Sequence, residues 1–226
     1  MAPRRQYLFS TVATKVLIAI AGLSLVGFLC VHLAGNLLLY VGAPAFNAYS
    51  HVLISNPFIV PLELALLALF VLHVLEAVTM WWTDRAARPI AYQMTRSAGG
   101  RSRKSLASTT MIVTGPIVFV FVAVHVATMK YGPWYVADLH GTEARDLHRL
   151  VLETLRRPVW LAVYLPCLAA VGLHLWHGVS SAFESLGLHG PRLTPKVLVA
   201  GKALAVAIAA GFLSIPIWIF FFGGRS

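Results

Sequence analysis

Charged residues are scarce in this sequence. Only 12% of the 226 residues are charged and 58% are hydrophobic, whereas soluble domains average about 25% charged residues. Too few polar side chains are present to cover a water-soluble globule. Five stretches contain the roughly 20 apolar residues that a membrane-spanning helix needs: Val12–Tyr40, Phe58–Trp82, Ser108–Met129, Val159–Val179 and Val197–Phe222. The sequence predicts an all-α integral membrane bundle of five transmembrane helices, with residues 1–226 as one domain.

Cysteine is also rare. The two cysteines, Cys30 and Cys167, both lie within apolar stretches. No Cys-x-x-Cys-His segment is present, which excludes covalent attachment of a c-type haem. No cluster of cysteines can hold an iron–sulfur centre, and no glycine-rich dinucleotide fingerprint indicates a flavin site.

Acidic residues are few, and the basic residues are unevenly distributed. Eight Asp and Glu residues face 18 Lys and Arg residues, for a formal net charge of +10. Twelve basic residues lie at the N-terminus or in the even-numbered connections, and six lie on the other side. The positive-inside rule therefore predicts a cytoplasmic N-terminus and an external C-terminus. This distribution explains the basic charge by membrane topology, so we expect no nucleic-acid partner.

The third connection, residues 131–157, has a net charge close to zero. Apolar residues recur within it at helical spacing, at Leu147, Leu150, Val151 and Leu155. This pattern predicts a short amphipathic helix on the outer membrane surface.

Five of the nine histidines fall inside the apolar stretches: His32, His73, His125, His174 and His177. Ionisable residues within a membrane are energetically costly and usually functional. Four of the five predicted helices carry at least one of these histidines. Neutral imidazole is a common metal ligand, so this distribution favours metal ligation.

The depth of each histidine indicates how they pair. His32 and His125 lie roughly 27 Å from the cytoplasmic ends of their helices, and His73 and His174 lie roughly 15 Å from theirs, at a rise of about 1.5 Å per residue. The four residues form two layers separated by roughly 12 Å. Two axial histidines at each of two levels are what two b-type haems with bis-histidine ligation require. His177 lies three residues after His174, so only one of these two can be an axial ligand.

Two carboxylates also lie in the second predicted helix. Glu63 is near its outer end, where it is either hydrated or involved in proton transfer to a quinone. Glu76 either pairs with a neighbouring arginine or relays protons. Glycines near the histidines have two possible roles, close helix packing or space for a macrocycle; they are Gly35, Gly115, Gly172 and Gly178.

These features resemble the five-helix, dihaem cytochrome b subunit of succinate dehydrogenases and fumarate reductases. The clearest segment is Gly172–Gly187, which is similar to the family motif H-x-x-H-G-x-x-S-x-F-x-S-L-G. Other segments are also similar to the family: Thr110–Gly115 followed by His125, Asp84–Pro89, Phe46–Ser50 and the pair Asn56-Pro57. The resemblance covers nearly the whole chain.

The resemblance implies His32 and His125 as ligands of the outer (distal) haem, and His73 and His174 as ligands of the inner (proximal) haem. His177 matches the second histidine of the motif, and Glu63 is similar to a carboxylate of some members. A flavoprotein subunit and an iron–sulfur subunit are implied on the cytoplasmic face, with menaquinone as the membrane carrier. The flavoprotein would then carry out the chemistry on succinate, and quinone chemistry would take place at this subunit. The whole complex would lie in the cell inner membrane and act in respiration and the tricarboxylic acid cycle.

Two other functions remain open from the residues. Another dihaem cytochrome, such as the anchor of a hydrogenase or a formate dehydrogenase, needs similar ligands. A transporter could use intramembrane His and Glu as a proton relay, although such proteins often have internal repeats and broken helices. The motifs are common to succinate oxidation and fumarate reduction, so they do not indicate the direction of turnover.

Overall fold

The computed structural model describes residues 11–87, 106–139 and 141–223. In these ranges the protein is mostly helical. A 3-10 turn (Leu37–Tyr40) extends the first helix and a π-helical turn (Val126–Lys130) extends the fourth. In chain order the elements are α1 Thr11–Asn36, α2 Ala43–Ser55, α3 Ile59–Ala86, α4 Leu106–His125, β1 Val136–Leu139, β2 Thr142–Arg145, α5 Leu147–Leu155, α6 Pro158–Ser185 and α7 Leu193–Phe222.

Five helices are long and apolar enough to cross a membrane: α1, α3, α4, α6 and α7. Their number and order confirm the prediction from hydropathy. Three helices extend at least one turn further than predicted, since α3 continues to Ala86, α6 continues to Ser185 and α7 begins at Leu193. The additional turns are more polar. Helical hydrogen bonds depend on the backbone rather than on hydropathy, so an apolar stretch underestimates the length of its helix.

The connections contain structure that hydropathy did not predict. Helix α2 occupies the first connection, and strands β1 and β2 form an antiparallel hairpin in the third, with Val136 opposite Arg145. The all-α description therefore applies to the bundle, and the hairpin is an addition to it. An amphipathic helix is present where predicted: it is α5, whose Leu150, Val151 and Leu155 are buried. Its position on the outer membrane surface stays a prediction.

Four of the long helices are arranged as a ring. Helix α1 packs against α3 and α6, and α6 packs against α4 as well as against α7. The pairs α1 with α4 and α3 with α6 are not among the closely packed pairs of the described chain. The pair α3 with α4 is not among them either, so the contacts follow the order α3, α1, α6, α4 and the ring is open between α3 and α4. Helices α1 and α4, and helices α3 and α6, are two apart in this order and form its diagonals.

Helices α2 and α5 and the hairpin cover one end of the bundle, which we call the capped end. Asn47 of α2 is buried, and its side-chain amide donates a hydrogen bond of 2.8 Å to Asp146. The side-chain carbonyl oxygen of Asn47 accepts a hydrogen bond of 2.9 Å from the backbone N–H of His148. Asp146 in turn caps α5 by accepting from the N–H of Arg149. These bonds join α2 to the start of α5.

Helix α3 lies at the edge of the bundle. None of its 28 residues is fully buried, and its closely packed neighbours are α1 and the short α2. Large apolar side chains such as Leu64, Leu67 and Leu75 are mostly exposed on it. An apolar surface of this extent is suited to lipid rather than to water.

Candidate functional site

The predicted histidines meet across the two diagonals of the ring. The ring centroids of His32 on α1 and His125 on α4 are 5.8 Å apart, with the ring planes at 81°. Those of His73 on α3 and His174 on α6 are 6.2 Å apart, with the planes at 74°. His32 and His125 lie near the capped end, close to the C-terminal ends of their helices. We call them the capped-end pair, and His73 with His174 the central pair.

The spacing within each pair suits one metal ion between two imidazoles. A metal–imidazole bond of about 2 Å on each side, with roughly 1 Å from each nitrogen to its ring centre, places the centroids about 6 Å apart. The two observed separations, 5.8 and 6.2 Å, are close to this value. Crossed ring planes are compatible with such ligation because each ring can rotate about its own bond to the metal.

Each pair supplies two protein ligands and no more. Among the described residues, no group of three or more His, Cys, Asp or Glu side chains could hold a metal ion. A metal in either pair would therefore need further ligands from outside the described residues. A macrocycle that fills the four in-plane positions of its metal satisfies this requirement. The donor set thus fits a haem at each level.

Hydrogen bonds orient the central pair. Nδ1 of His73 lies 3.3 Å from the carbonyl oxygen of Ile18. A carbonyl can only accept, so the proton is on Nδ1 and the lone pair of Nε2 is free to bind a metal. Nδ1 of His174 lies 3.4 Å from the hydroxyl of Thr114, which is also 3.5 Å from the carbonyl oxygen of Met111. If Thr114 donates to Met111, its oxygen accepts the Nδ1 proton of His174. Bonds of this kind commonly orient the histidine ligands of metals.

The capped-end pair is surrounded by aromatic rings and a few polar side chains. Phe28 stacks on His32 at 5.2 Å, and Phe212 of α7 lies 5.7 Å from the same imidazole. The Asn36 amide donates to the carbonyl oxygen of His32 at 2.8 Å. On the other side, the hydroxyl of Tyr164 lies 3.3 Å from Nδ1 of His125. The Asn36 amide nitrogen also lies 3.4 Å from both ring nitrogens of His32, and both imidazoles are half-buried among these neighbours.

A stacked pair of phenylalanines lies between the two layers. Phe70 on α3 and Phe119 on α4 have centroids 5.9 Å apart and nearly parallel planes, at 5°. Phe70 is one turn from His73 towards the capped end, and Phe119 precedes His125 by six residues. This stack joins α3 to α4 on the side of the ring where the two helices are not closely packed.

Two of the four predicted glycines near the histidines permit close packing, and the other two have no close contact. A Cβ on Gly35 would come within 2.5 Å of the Tyr49 ring, and one on Gly172 within 2.7 Å of Cβ of Ala209, so both permit close packing. A Cβ on Gly115 would be 4.0 Å from the imidazole of His174, and one on Gly178 would meet nothing within 4 Å. Gly22, which the sequence did not single out, is the glycine nearest to a central imidazole, since its Cβ would lie 3.2 Å from His73.

The remaining predicted residues lie outside the two pairs. His177 is one turn beyond His174 on α6 and is half-buried; its ring does not oppose His73, as that of His174 does. Glu63 forms an ion pair with Lys130 near the capped end, and both side chains are partly exposed. Glu76 is half-buried, and it forms no ion pair with any of the described residues.

Several neighbours of the histidines were missed from the sequence: Asn36, Thr114, Thr128 and Tyr164. Each is a polar residue inside a helix that can cross a membrane, which is the one signal that could have drawn attention to them. The contact of Asn36 with His32 follows from their spacing of four residues, whereas the other contacts join different helices and spacing along the chain does not show them.

Comparison of the chain with family models, curated proteins and solved structures finds no match in any of the three.

Proposed function

We propose that this chain is the dihaem cytochrome b membrane-anchor subunit of a succinate dehydrogenase or fumarate reductase. The observation that carries the proposal is the pair of opposed histidines at each of two levels, on the diagonals of a ring of membrane-type helices. The similarity of Gly172–Gly187 to the helix IV motif of that family supports this class over other dihaem proteins.

In this function His32 and His125 hold the iron of the outer haem, and His73 and His174 hold that of the inner haem. Each haem would supply a one-electron carrier, and these histidines would be its protein ligands. The chain orients the imidazoles through Ile18, Thr114 and Tyr164. In this role the chain passes electrons between an iron–sulfur subunit and a membrane quinone. The family resemblance implies that this quinone is menaquinone.

The proposed orientation follows the distribution of basic residues. The N-terminus and the second connection face the cytoplasm, and the capped end and the C-terminus face outward. The flavoprotein and iron–sulfur subunits dock on the cytoplasmic face, against the basic N-terminus and second connection. Most of that docking surface, residues 1–10 and 88–105, lies outside the described residues. His177, nearer to this face than His174, is available to bind a haem propionate.

The redox spectrum of the complex purified through this chain tests the function. Succinate is expected to reduce haem b in the complex, because its electrons reach the anchor through the flavoprotein and the iron–sulfur subunit. A complex whose haem is reduced by formate or hydrogen but not by succinate would belong to another dihaem class. A proton-relay transporter would contain no haem.

We propose further that Glu63 takes part in quinone protonation at the outer haem. Its carboxylate lies near the capped end, where it pairs with Lys130, and it is partly exposed, so water can reach it. Replacement by glutamine removes the proton-carrying group with little change in shape. We expect Glu63→Gln to lower quinone-linked turnover of the complex at least about tenfold, since positioned acid–base groups contribute roughly 10² or more to rate.

Glu153→Gln is the matched control for this substitution. Glu153 is also near the capped end and also paired, with Arg149 at 2.7 Å. Hydrogen bonds from Arg149 and Tyr135 hold the pKa of its carboxyl below the usual value, so it is a poor proton carrier. Turnover in Glu153→Gln should match the wild type. Unchanged turnover in Glu63→Gln would remove Glu63 from the mechanism.

A further inference from the structure

Tyr164 connects two polar groups beside the capped-end pair. Its side chain is buried, with 5% of the residue exposed. The hydroxyl lies 3.3 Å from Nδ1 of His125 and 3.1 Å from Oγ1 of Thr128. Thr128 lies in the π-helical turn that follows His125, and its hydroxyl is 2.9 Å from the carbonyl oxygen of Val124.

Only one arrangement of protons makes every one of these contacts a hydrogen bond. A carbonyl oxygen only accepts, so the single proton of the Thr128 hydroxyl points to the carbonyl of Val124 or, at 3.1 Å, of His125. The oxygen of Thr128 then accepts the proton of the Tyr164 hydroxyl. The oxygen of Tyr164, whose own proton is committed, accepts the Nδ1 proton of His125. Nε2 of His125 is left without a proton and available as a ligand.

Aromatic neighbours hold the ring of Tyr164 in place beside His125. Phe121 meets it edge-on with centroids 5.2 Å apart, and Trp160 lies 6.3 Å away on the same helix. The central pair obtains its orientation differently, from the backbone carbonyl of Ile18 and the hydroxyl of Thr114. Among the described residues, the phenol of Tyr164 is hydrogen-bonded to the capped-end pair and not to the central pair, so a change at Tyr164 should affect one layer.

We propose that Tyr164 is a positioning residue for His125: it accepts the Nδ1 proton, fixes the tautomer and ring plane, and so strengthens Nε2 as a metal donor. The proposal rests on the proposed function, in which His125 is an axial ligand of the outer haem. An acceptor at Nδ1 makes an imidazole more basic. A more basic axial ligand stabilises ferric over ferrous iron, so Tyr164 lowers the midpoint potential of the outer haem.

The test is potentiometric titration of both haems in the purified complex carrying Tyr164→Phe. Phenylalanine keeps the ring packing and removes only the hydroxyl. We expect the midpoint potential of the outer haem to rise, with a change of about tenfold in the ferric-to-ferrous ratio at fixed potential, or about 59 mV for a one-electron couple. The inner haem should keep its potential.

Thr114→Val is the matched variant in the other layer. It should raise the midpoint potential of the inner haem and leave the outer haem unchanged, because Thr114 contacts His174. If Tyr164→Phe left both potentials unchanged, or shifted both equally, the proposal would be overturned. Absence of haem from the wild-type complex would instead contradict the proposed function itself.

Thr128→Val tests the same proposal if the complex that carries Tyr164→Phe does not assemble. It keeps the tyrosine but removes the acceptor for its proton, which weakens Tyr164 as an acceptor because linked hydrogen bonds strengthen one another. The potential of the outer haem should then rise by a smaller amount in the same direction. An unchanged outer potential in Thr128→Val would overturn the proposal.

Discussion

His174→Ala is expected to reduce the haem content from two haems b per chain to one, whereas His177→Ala retains both. The imidazole of His174 opposes that of His73 at 6.2 Å. His177 lies about 4.5 Å further along the helix by the helical rise, so its ring cannot occupy the same level. Alanine at 174 leaves the inner iron with one axial ligand. The outer haem survives because its ligands are on α1 and α4.

Pyridine haemochrome assay of the two purified variants, with protein quantitation, measures this difference. His177→Ala is expected to shift only the midpoint potential of the inner haem, since a group that contacts a cofactor tunes it without holding it. Loss of a haem in His177→Ala together with retention in His174→Ala would reverse the ligand assignment.

The second large effect is expected from Gly22→Leu, although Gly22 is not a ligand. A Cβ at this position would lie 3.2 Å from Cε1 and 3.4 Å from Nδ1 of His73. The missing side chain lets α1 approach so closely that the carbonyl of Ile18, one turn earlier, accepts from His73. A leucine would push the imidazole away from this carbonyl and from His174. We expect the inner haem to be lost and the outer haem to remain.

Gly27→Leu provides the control on the same helix. A Cβ on Gly27 meets no heavy atom within 4 Å, so leucine there should leave both haems bound. The two variants add the same bulk and the same helix propensity to α1. If Gly22→Leu retained an inner haem with an unchanged spectrum, the position of His73 against α1 would not matter for binding.

The sequence predicted the bundle because its dominant signal, apolar length, is the property that lipid selects. It also predicted which histidines come together, since depth in a membrane follows from the helical rise alone. His32 meets His125, and His73 meets His174, as the depths indicated. Their role as haem ligands stays a prediction.

The groups that orient the histidines could not be predicted in the same way. Tyr164 and His125 are on different helices, and their contact depends on how α6 rotates against α4. The role of Gly22 depends on the distance between α1 and α3. Such rotations and distances result from side-chain packing over the whole bundle, which the spacing of residues along one helix does not specify.

The capped end was only partly predicted for a related reason. Helix α5 has a strong amphipathic pattern and was found, but α2 and the hairpin were not. The hairpin has two strands of four residues each, with Gly141 at a positive φ of 86° in the turn between them. Strands this short depend on tertiary contacts for their stability. Here Arg145 supplies one such contact, donating at 2.9 Å to the carbonyl oxygen of Lys130 at the end of the π-helical turn.

The haem b content of the purified wild-type complex tests the central claim most directly. Dithionite-reduced minus oxidised spectra and the pyridine haemochrome assay, with the chain quantified by amino-acid analysis, give the number and type of haems per chain. Two opposed histidine pairs predict two low-spin, six-coordinate haems b per chain. One haem per chain, or none, would contradict the account.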